Sequence, residues 1–192
     1  MKRKINLLIL ILFIISNNFN AQEFSIHSLK IGAGYGVSHG KKNSGFGIFH
    51  SFGYQKNIWK NRFRLNPNFS FGTYSTKLFT CVKDEYFNSI NFEINLFFDF
   101  IKTENYSLFI GNGSFLNHSK GLIGTGGDPE SYGNRQESEY TNYIYFGLYI
   151  TAGLRYNNPN KRIALNIMPF NFHIGTSNFF EVYGKIEIDI KF

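Results

Sequence analysis

The C-terminal stretch Phe179–Phe192, FFEVYGKIEIDIKF, decides how the rest of the chain is interpreted. Every second residue is apolar or glycine, and this set comprises Phe180, Val182, Gly184, Ile186, Ile188, Ile190 and Phe192. The residues between them are mostly charged, and that set comprises Glu181, Tyr183, Lys185, Glu187, Asp189 and Lys191. A period of two places the two sets on opposite faces of a β-strand. The stretch therefore predicts a strand with one apolar face and one charged face.

Six further segments alternate well in the same way, and a seventh, Tyr106–Phe115, alternates weakly. No segment of useful length shows the 3.6-residue period of a helix. The composition, 19% aromatic with 19 Gly, also favours strands. Before the closing strand, the predicted strands span Leu29–Val37, Phe46–Gln55, Arg62–Thr73, Ser89–Ile101, Tyr106–Phe115, Asn142–Tyr156 and Arg162–Phe172. The expected class is all-β.

An amphipathic strand that ends the chain on Phe192 resembles the closing strand of bacterial outer-membrane β-barrels. With eight strands, residues 22–192 resemble the small porin-like barrels of the OmpA and OmpX type, which are eight-stranded antiparallel up-and-down transmembrane β-barrels. The resemblance implies an assembly signal in Ile186, Ile188, Ile190 and Phe192 that the barrel-assembly machinery reads. It also implies location in the cell outer membrane, with outer-membrane lipids and lipopolysaccharide as surroundings.

Residues 1–21 have the pattern of a secretory signal peptide that directs export. Lys2, Arg3 and Lys4 precede the apolar run Leu7–Ile15, which is too short to span a bilayer as a helix. Removing these three basic residues lowers the formal charge from +7 to +4, too mild a value to indicate a nucleic-acid partner. The single Cys81 excludes an intramolecular disulfide framework. Residues 22–192 are expected to form one barrel domain.

Alternation alone does not separate a membrane barrel from a soluble sandwich or a soluble, periplasmic lipocalin-like binding barrel. The mixture of Gly with Phe and Tyr on the less apolar faces favours the closed interior of a narrow barrel. The reverse orientation of the closing strand would also place Lys185, Glu187 and Asp189 in lipid, at a cost of about 2–4 kcal/mol for a Lys at the midplane. These arguments favour the membrane barrel.

Alternation also predicts which charged side chains enter the lumen, and eight strands leave a lumen that side chains just fill. The predicted set is Lys30, Arg64, Glu93, Asp99, Arg155, Arg162, Glu181, Lys185, Glu187, Asp189 and Lys191. Buried charges require partners, so we expect a salt-bridged plug in which Arg64, Arg155 and Arg162 oppose the acids of the closing strand. The alternative is a narrow polar path for ions.

An enzymatic alternative follows from outer-membrane barrels that deacylate or acylate lipid A. Here His118 and Ser119 are adjacent, and Glu137 or Glu139 could orient the base. The deacylase family has one residue between His and Ser, followed by Asn-Ala, and this chain departs from that pattern. No catalytic residue and no cofactor is therefore predicted, and the scattered His residues have no metal-ligand spacing. The ranges 74–87 and 117–140 are expected to be extracellular loops that could contact a ligand, which favours a structural or surface-interaction role.

Overall fold

The computed structural model describes residues 26–58, 62–75, 86–126 and 137–192, and β-strands dominate this part of the chain. The strands are β1 (His27–His39), β2 (Ser44–Ile58), β3 (Phe63–Ser75), β4 (Tyr86–Lys102), β5 (Tyr106–Gly126), β6 (Glu137–Tyr156), β7 (Ile163–Gly175) and β8 (Phe180–Lys191). One 3₁₀ turn, Thr176–Asn178, joins β7 to β8. The predicted signal peptide, Cys81 and the tips of the two longest loops lie outside the described residues.

The eight strands form one closed barrel in which each strand pairs with its neighbours in the chain. β8 closes the barrel against β1 in antiparallel register, with Ile31 opposite Ile188 and Lys30 opposite Asp189. All other pairs are antiparallel as well. The prediction of an all-β, eight-stranded antiparallel up-and-down barrel is confirmed.

The barrel has its charges inside and its apolar side chains outside. In β8, Glu187 and Asp189 are fully buried, whereas Ile186 is 55% exposed and Ile188 is 46% exposed. The same inversion holds around the wall, where large apolar side chains of every strand face outward. A barrel built for water would present the opposite arrangement, so this outer surface matches a hydrocarbon solvent. No helix among the described residues is long and apolar enough to cross a membrane.

The β5–β6 hairpin is longer than the sequence predicted. Residues 117–126 and 137–140 continue β5 and β6, so the expectation of one loop over 117–140 is wrong at both ends. The Gly and Ser content of this range masked a continuing ladder, in which Gly121 lies opposite Thr141. A Cβ atom at Gly121 would lie 2.2 Å from the carbonyl oxygen of Tyr86, so close packing of the strands requires glycine there. The predicted loop 74–87 is similarly shortened by β3 and β4.

A β-bulge in β7 changes which residues enter the lumen. The pairing with β8 shifts between Met168 and Asn171, so Pro169 and Phe170 both face outward. Proline cannot donate to the ladder, which suits a position where pairing is interrupted. Beyond the bulge the alternation resumes in the opposite phase, and His173 becomes fully buried inside the barrel.

The predicted lumen residue Arg162 directly precedes β7, which begins at Ile163. It is half-buried in the turn before β7, and its carbonyl oxygen accepts a hydrogen bond from the backbone N–H of Lys191 at 2.8 Å. Its exposure follows the alternation of β7, since Lys161 and Ile163 on either side of it are exposed.

The outward face of β8 offers a direct test of the wall. Ile186→Arg places a cation on the lipid-facing surface, and we expect it to lower the free energy of unfolding by about 2–4 kcal/mol. Ile186→Leu should have little effect because it keeps the side chain apolar. Urea unfolding in lipid vesicles measures the free energy of unfolding of each variant, with the heat-dependent gel mobility of the folded barrel as the readout. Equal stability of the two variants would contradict a lipid-facing position.

Candidate functional site: the charged lumen and its outer mouth

The inner end of the lumen contains two arginine–aspartate pairs. Arg64 on β3 lies 2.7 Å from Asp99 on β4, and Arg155 on β6 lies 3.1 Å from Asp189 on β8. Asn166 donates a further hydrogen bond to Asp189 at 2.7 Å. Arg64 therefore pairs with β4, whereas Arg155 pairs with the closing strand as expected.

The middle of the lumen contains two lysines on one carboxylate. Lys30 on β1 and Lys185 on β8 both form ion pairs with Glu187, the latter at 2.8 Å. Ser51 lies near the same carboxylate, with 3.4 Å between the two oxygens. Three strands are thereby connected at one acidic group.

The outer part of the lumen is organised by His173. Its Nδ1 lies 2.5 Å from a carboxylate oxygen of Glu181, and its Nε2 lies 3.3 Å from a carboxylate oxygen of Glu93. A neutral imidazole has only one N–H, whereas two carboxylates require two donors, so the geometry fits the imidazolium form. Tyr74 donates from its hydroxyl to Glu181, and Asn68 donates to Glu93 at 3.1 Å. The cluster joins β3, β4, β7 and β8.

Protonated His173 also balances the charge of the lumen. The fully charged side chains that the described structure buries are four cations and five carboxylates: Lys30, Arg64, Arg155 and Lys185, with Glu93, Asp99, Glu181, Glu187 and Asp189. An imidazolium supplies the fifth positive charge. Since an uncompensated charge in a low-dielectric interior is costly, this balance stabilises the plug. The sequence analysis gave His173 no role because the bulge that turns it inward was not recognised.

Aromatic rings fill the space between the charged layers. One buried cluster comprises Phe49, Phe97, Phe109, Tyr149, Met168 and Tyr183. The guanidinium of Arg64 lies 4.6 Å from the centre of the Phe109 ring, a cation–π geometry. Gly34 makes room for Phe49, because a Cβ atom there would lie 2.2 Å from the end of that ring. Small and large residues thus alternate to fill the lumen.

The outer mouth is covered by the turn between β1 and β2. Its backbone reaches across the barrel, where the Lys41 N–H donates to the hydroxyl of Tyr145 at 3.1 Å. Asn43 donates to Ser119 at 3.2 Å and accepts from Thr141 at 2.8 Å. These contacts join the first hairpin to β5 and β6 on the opposite wall. The turn therefore acts as a cover over the plugged lumen.

A salt bridge at the rim adds to this cover. Lys42 Nζ lies 2.7 Å from a carboxylate oxygen of Glu139, and this hydrogen bond raises the pKa of Lys42 above its ordinary value. Both side chains are about half exposed, so the pair contributes little free energy by itself. Its effect is to keep Glu139 directed toward the cover.

The candidate catalytic dyad does not form. His118 and Ser119 are neighbours on β5, so their side chains leave opposite faces of the strand. His118 Nε2 lies 2.7 Å from the side-chain oxygen of Asn142 on the outer surface, whereas Ser119 is buried inside. Glu139 contacts Lys42 rather than His118. In the described residues, no group of three His, Cys, Asp or Glu side chains could hold a metal ion.

Solved structures provide the comparison for this architecture. The crystal structure of Neisserial surface protein A matches with a TM-score of 0.61 at 14% identity, over 88% of this chain and 98% of that one. The crystal structure of Ail, the attachment invasion locus protein of Yersinia pestis, matches with a TM-score of 0.52 at 16% identity, over 86% and 97%. The chain has the fold of the small eight-stranded outer-membrane β-barrels. No family model matches the sequence, and the search of curated proteins found no match.

The cluster of His173, Glu93 and Glu181 is expected to stabilise the barrel, and a substitution at His173 tests its contribution. His173→Leu keeps the volume but leaves Glu93 and Glu181 without their shared cation, and we expect a loss of about 3–5 kcal/mol in the free energy of unfolding. Adding Glu181→Gln should recover part of the loss because one carboxylate is removed. Tyr149→Phe is the control, since that ring packs on His173 without carrying charge. A loss for His173→Leu no greater than the control would contradict the charge bridge.

The plugged lumen and covered mouth predict that the protein conducts no substantial ionic current. Purified protein in planar lipid bilayers should give no stable, large single-channel steps. Lys42→Glu breaks the rim salt bridge, yet it should also remain silent because the charged layers below still fill the lumen. Stable large steps from the unmodified protein would contradict a closed lumen.

Proposed function

We propose that the protein is an integral outer-membrane barrel that docks an extended peptide of a partner protein at the cell surface. Its lumen serves as a rigid plug, and its outer β5–β6 hairpin serves as the contact surface. The export signal at residues 1–21 and the assembly signal ending at Phe192 support this location. Outer-membrane lipids and lipopolysaccharide would surround the wall, and the barrel-assembly machinery would insert it.

The observation that carries the docking role is the uneven height of the barrel wall. β6 pairs with β5 out to Glu137, but it pairs with β7 only from Gly147 inward. The chain then turns at Thr176–Asn178, where Ser177 and Asn178 have positive φ angles, and enters β8. Within the described residues, positions 137–146 of β6 consequently have a neighbouring strand on one side alone.

The unpaired side of β6 presents backbone donors and acceptors. The N–H of Phe146 points to this side, since it donates to the hydroxyl of Thr176 at 3.3 Å. Residues two apart in a strand direct their N–H and C=O groups the same way, which applies to Tyr140, Asn142 and Ile144. Among the described residues, no backbone group pairs with these three on that side. Such an edge is complementary to another strand, which is the basis of β-strand addition.

A second copy in the same membrane does not fit this edge. Two copies inserted in the same direction are related by rotation about the membrane normal. With a strand tilt of about 45°, their β6 strands would then cross at roughly 90°. Paired strands differ in direction by only about 25°, so no hydrogen-bonded ladder could form. A flexible peptide has no such restriction, which favours an extended segment of a different protein.

The comparisons are consistent with a surface role. Ail is named as an attachment invasion locus protein, and it was also solved in complex with the heparin analogue sucrose octasulfate. The similarity is limited to the fold, so the proposal for this chain relies on its own open edge. The ranges 74–87 and 117–140, which were expected to be extracellular loops, are proposed to contribute further contacts to the partner.

Backbone hydrogen bonding at the edge can be removed with little change elsewhere. Asn142→Pro deletes one outward N–H and leaves the β5 ladder intact, because proline is tolerated where its nitrogen faces away from the sheet. Extended peptides selected from a random phage-displayed library on the protein in nanodiscs should bind this variant about tenfold more weakly, equivalent to about 1.4 kcal/mol. Asn142→Ala is the matched control, since it loses the same side chain and keeps the N–H.

Hydrogen exchange provides the second measurement for the same complexes. Bound peptide should slow exchange of the amides of Tyr140, Asn142 and Ile144, which are open in the free protein. Peptides that bind all three proteins equally, without protecting these amides, would contradict strand addition at β6.

A further inference from the structure

Two polar side chains interrupt the apolar outer surface of the barrel. Asn112 and Ser114 alternate on β5, both face outward, and both are exposed. The outward residues beside them on the neighbouring strands are Leu96 and Ile150 for Asn112, and Ile94 and Leu148 for Ser114. The two polar groups therefore lie within an otherwise apolar patch.

Their position along the strand places them deep in the hydrocarbon layer. Asn112 is six residues from Tyr106 at the inner end of β5, which corresponds to about 14 Å of depth at a tilt of about 45°. The apolar band of such barrels is about 25 Å tall, so Asn112 lies close to its middle. Polar groups at this depth are costly unless they find a partner.

No partner is provided within the described part of the chain. No hydrogen bond joins the side chain of Asn112 or Ser114 to another described residue, and the adjacent outward side chains are all apolar. The other polar residue in the middle of the outer wall is His50 on β2. His50 lies three strands away from β5. Its ring packs on Phe71, with 5.4 Å between the ring centres. Two of these three polar residues thus lie on one strand, β5, where they are neighbours on the same face.

We infer that the outward face of β5 is the contact surface for a second copy of this chain in the same membrane. A carboxamide is both donor and acceptor, so two Asn112 side chains related by a two-fold axis along the membrane normal can satisfy each other. Ser114 is small and lies one position away on the same face, which allows close approach of the two walls. Interhelical contacts in membranes use small and hydroxyl-bearing residues for the same physical reasons.

The surface beside Asn112 has a shape that suits this partner. A groove in the wall is lined largely by outward side chains of β4 to β7, among which Ala152 is small and leaves space. Phe98 and Phe170 flank the groove, and Asn112 lies in its lining. A copy rotated by a two-fold axis presents the same ring and groove, so rings of each wall can enter the groove of the other. Contact between side-chain faces, unlike backbone pairing at β6, tolerates strands that cross at a large angle.

Cysteine cross-linking in lipid tests this interface with a matched control. In a Cys81→Ser background, Ser114→Cys places a thiol beside Asn112, and Ala33→Cys places one on the outward face of β1, four strands away. Purified full-length barrels in vesicles at low protein-to-lipid ratio are oxidised with copper phenanthroline. We expect a disulfide-linked dimer from Ser114→Cys and at least fivefold less from Ala33→Cys. Adding Asn112→Leu to Ser114→Cys should lower the dimer yield at least fivefold.

The outcomes separate failure of this dimer interface from failure of the proposed membrane location and from failure of a variant to fold. Heat-dependent gel mobility confirms that each variant is a folded barrel before oxidation, and Asn112→Leu only makes the lipid-facing wall more apolar. Equal yields at positions 33 and 114, or an unchanged yield with Asn112→Leu, would overturn a specific interface. The same cross-linking can be repeated in cells. If position 114 is then linked only to a protein of different mass, the partner at this surface is not a second copy.

Discussion

The structure depends on placing ten buried charged groups inside a narrow barrel in a neutral arrangement. The apolar outer face of the wall excludes them, and eight strands leave no room for bulk water inside. Each carboxylate must therefore find a cation inside the lumen, and the pairs Arg155–Asp189 and His173–Glu93 connect strands that are not neighbours in the wall. His173 is decisive because it supplies the last positive charge and lies between Glu93 and Glu181. A charge network of this kind limits the register of every strand that contributes to it.

The filled lumen is the reason why we propose partner contacts on the outside of the barrel. The cover formed by residues 40–43 is held by hydrogen bonds from Asn43 and Lys41 to the opposite wall, so even the mouth is occupied. What remains for partners is the outer hairpin and the lipid-facing wall. These surfaces differ chemically, since β6 offers unpaired backbone groups above the rim and β5 offers a side-chain amide within the membrane. We therefore propose different partners for them, a foreign peptide at β6 and a second copy at β5.

Both surfaces arise from departures from a uniform barrel. β5 and β6 continue beyond the point where β7 turns back at Thr176, and this difference in length exposes the edge. Asn112 and Ser114 depart from the apolar pattern of the outer face. A barrel with strands of equal length and apolar outward residues throughout would present only lipid-compatible side chains. The departures from this pattern are therefore the positions at which we propose functional contacts.

The sequence by itself determined the class, the eight strands and the face of most residues, because a period of two is a local property of the chain. The closing strand illustrates this, since alternation alone separates Ile186 and Ile188 from Glu187. Tertiary structure decided what depends on contacts between distant strands. The length of β5 required its pairing with β6, and the inward position of His173 required the bulge at Pro169 and Phe170. Which cation meets which carboxylate was also decided there, because register across the lumen is set by closure of the barrel and not by any one segment.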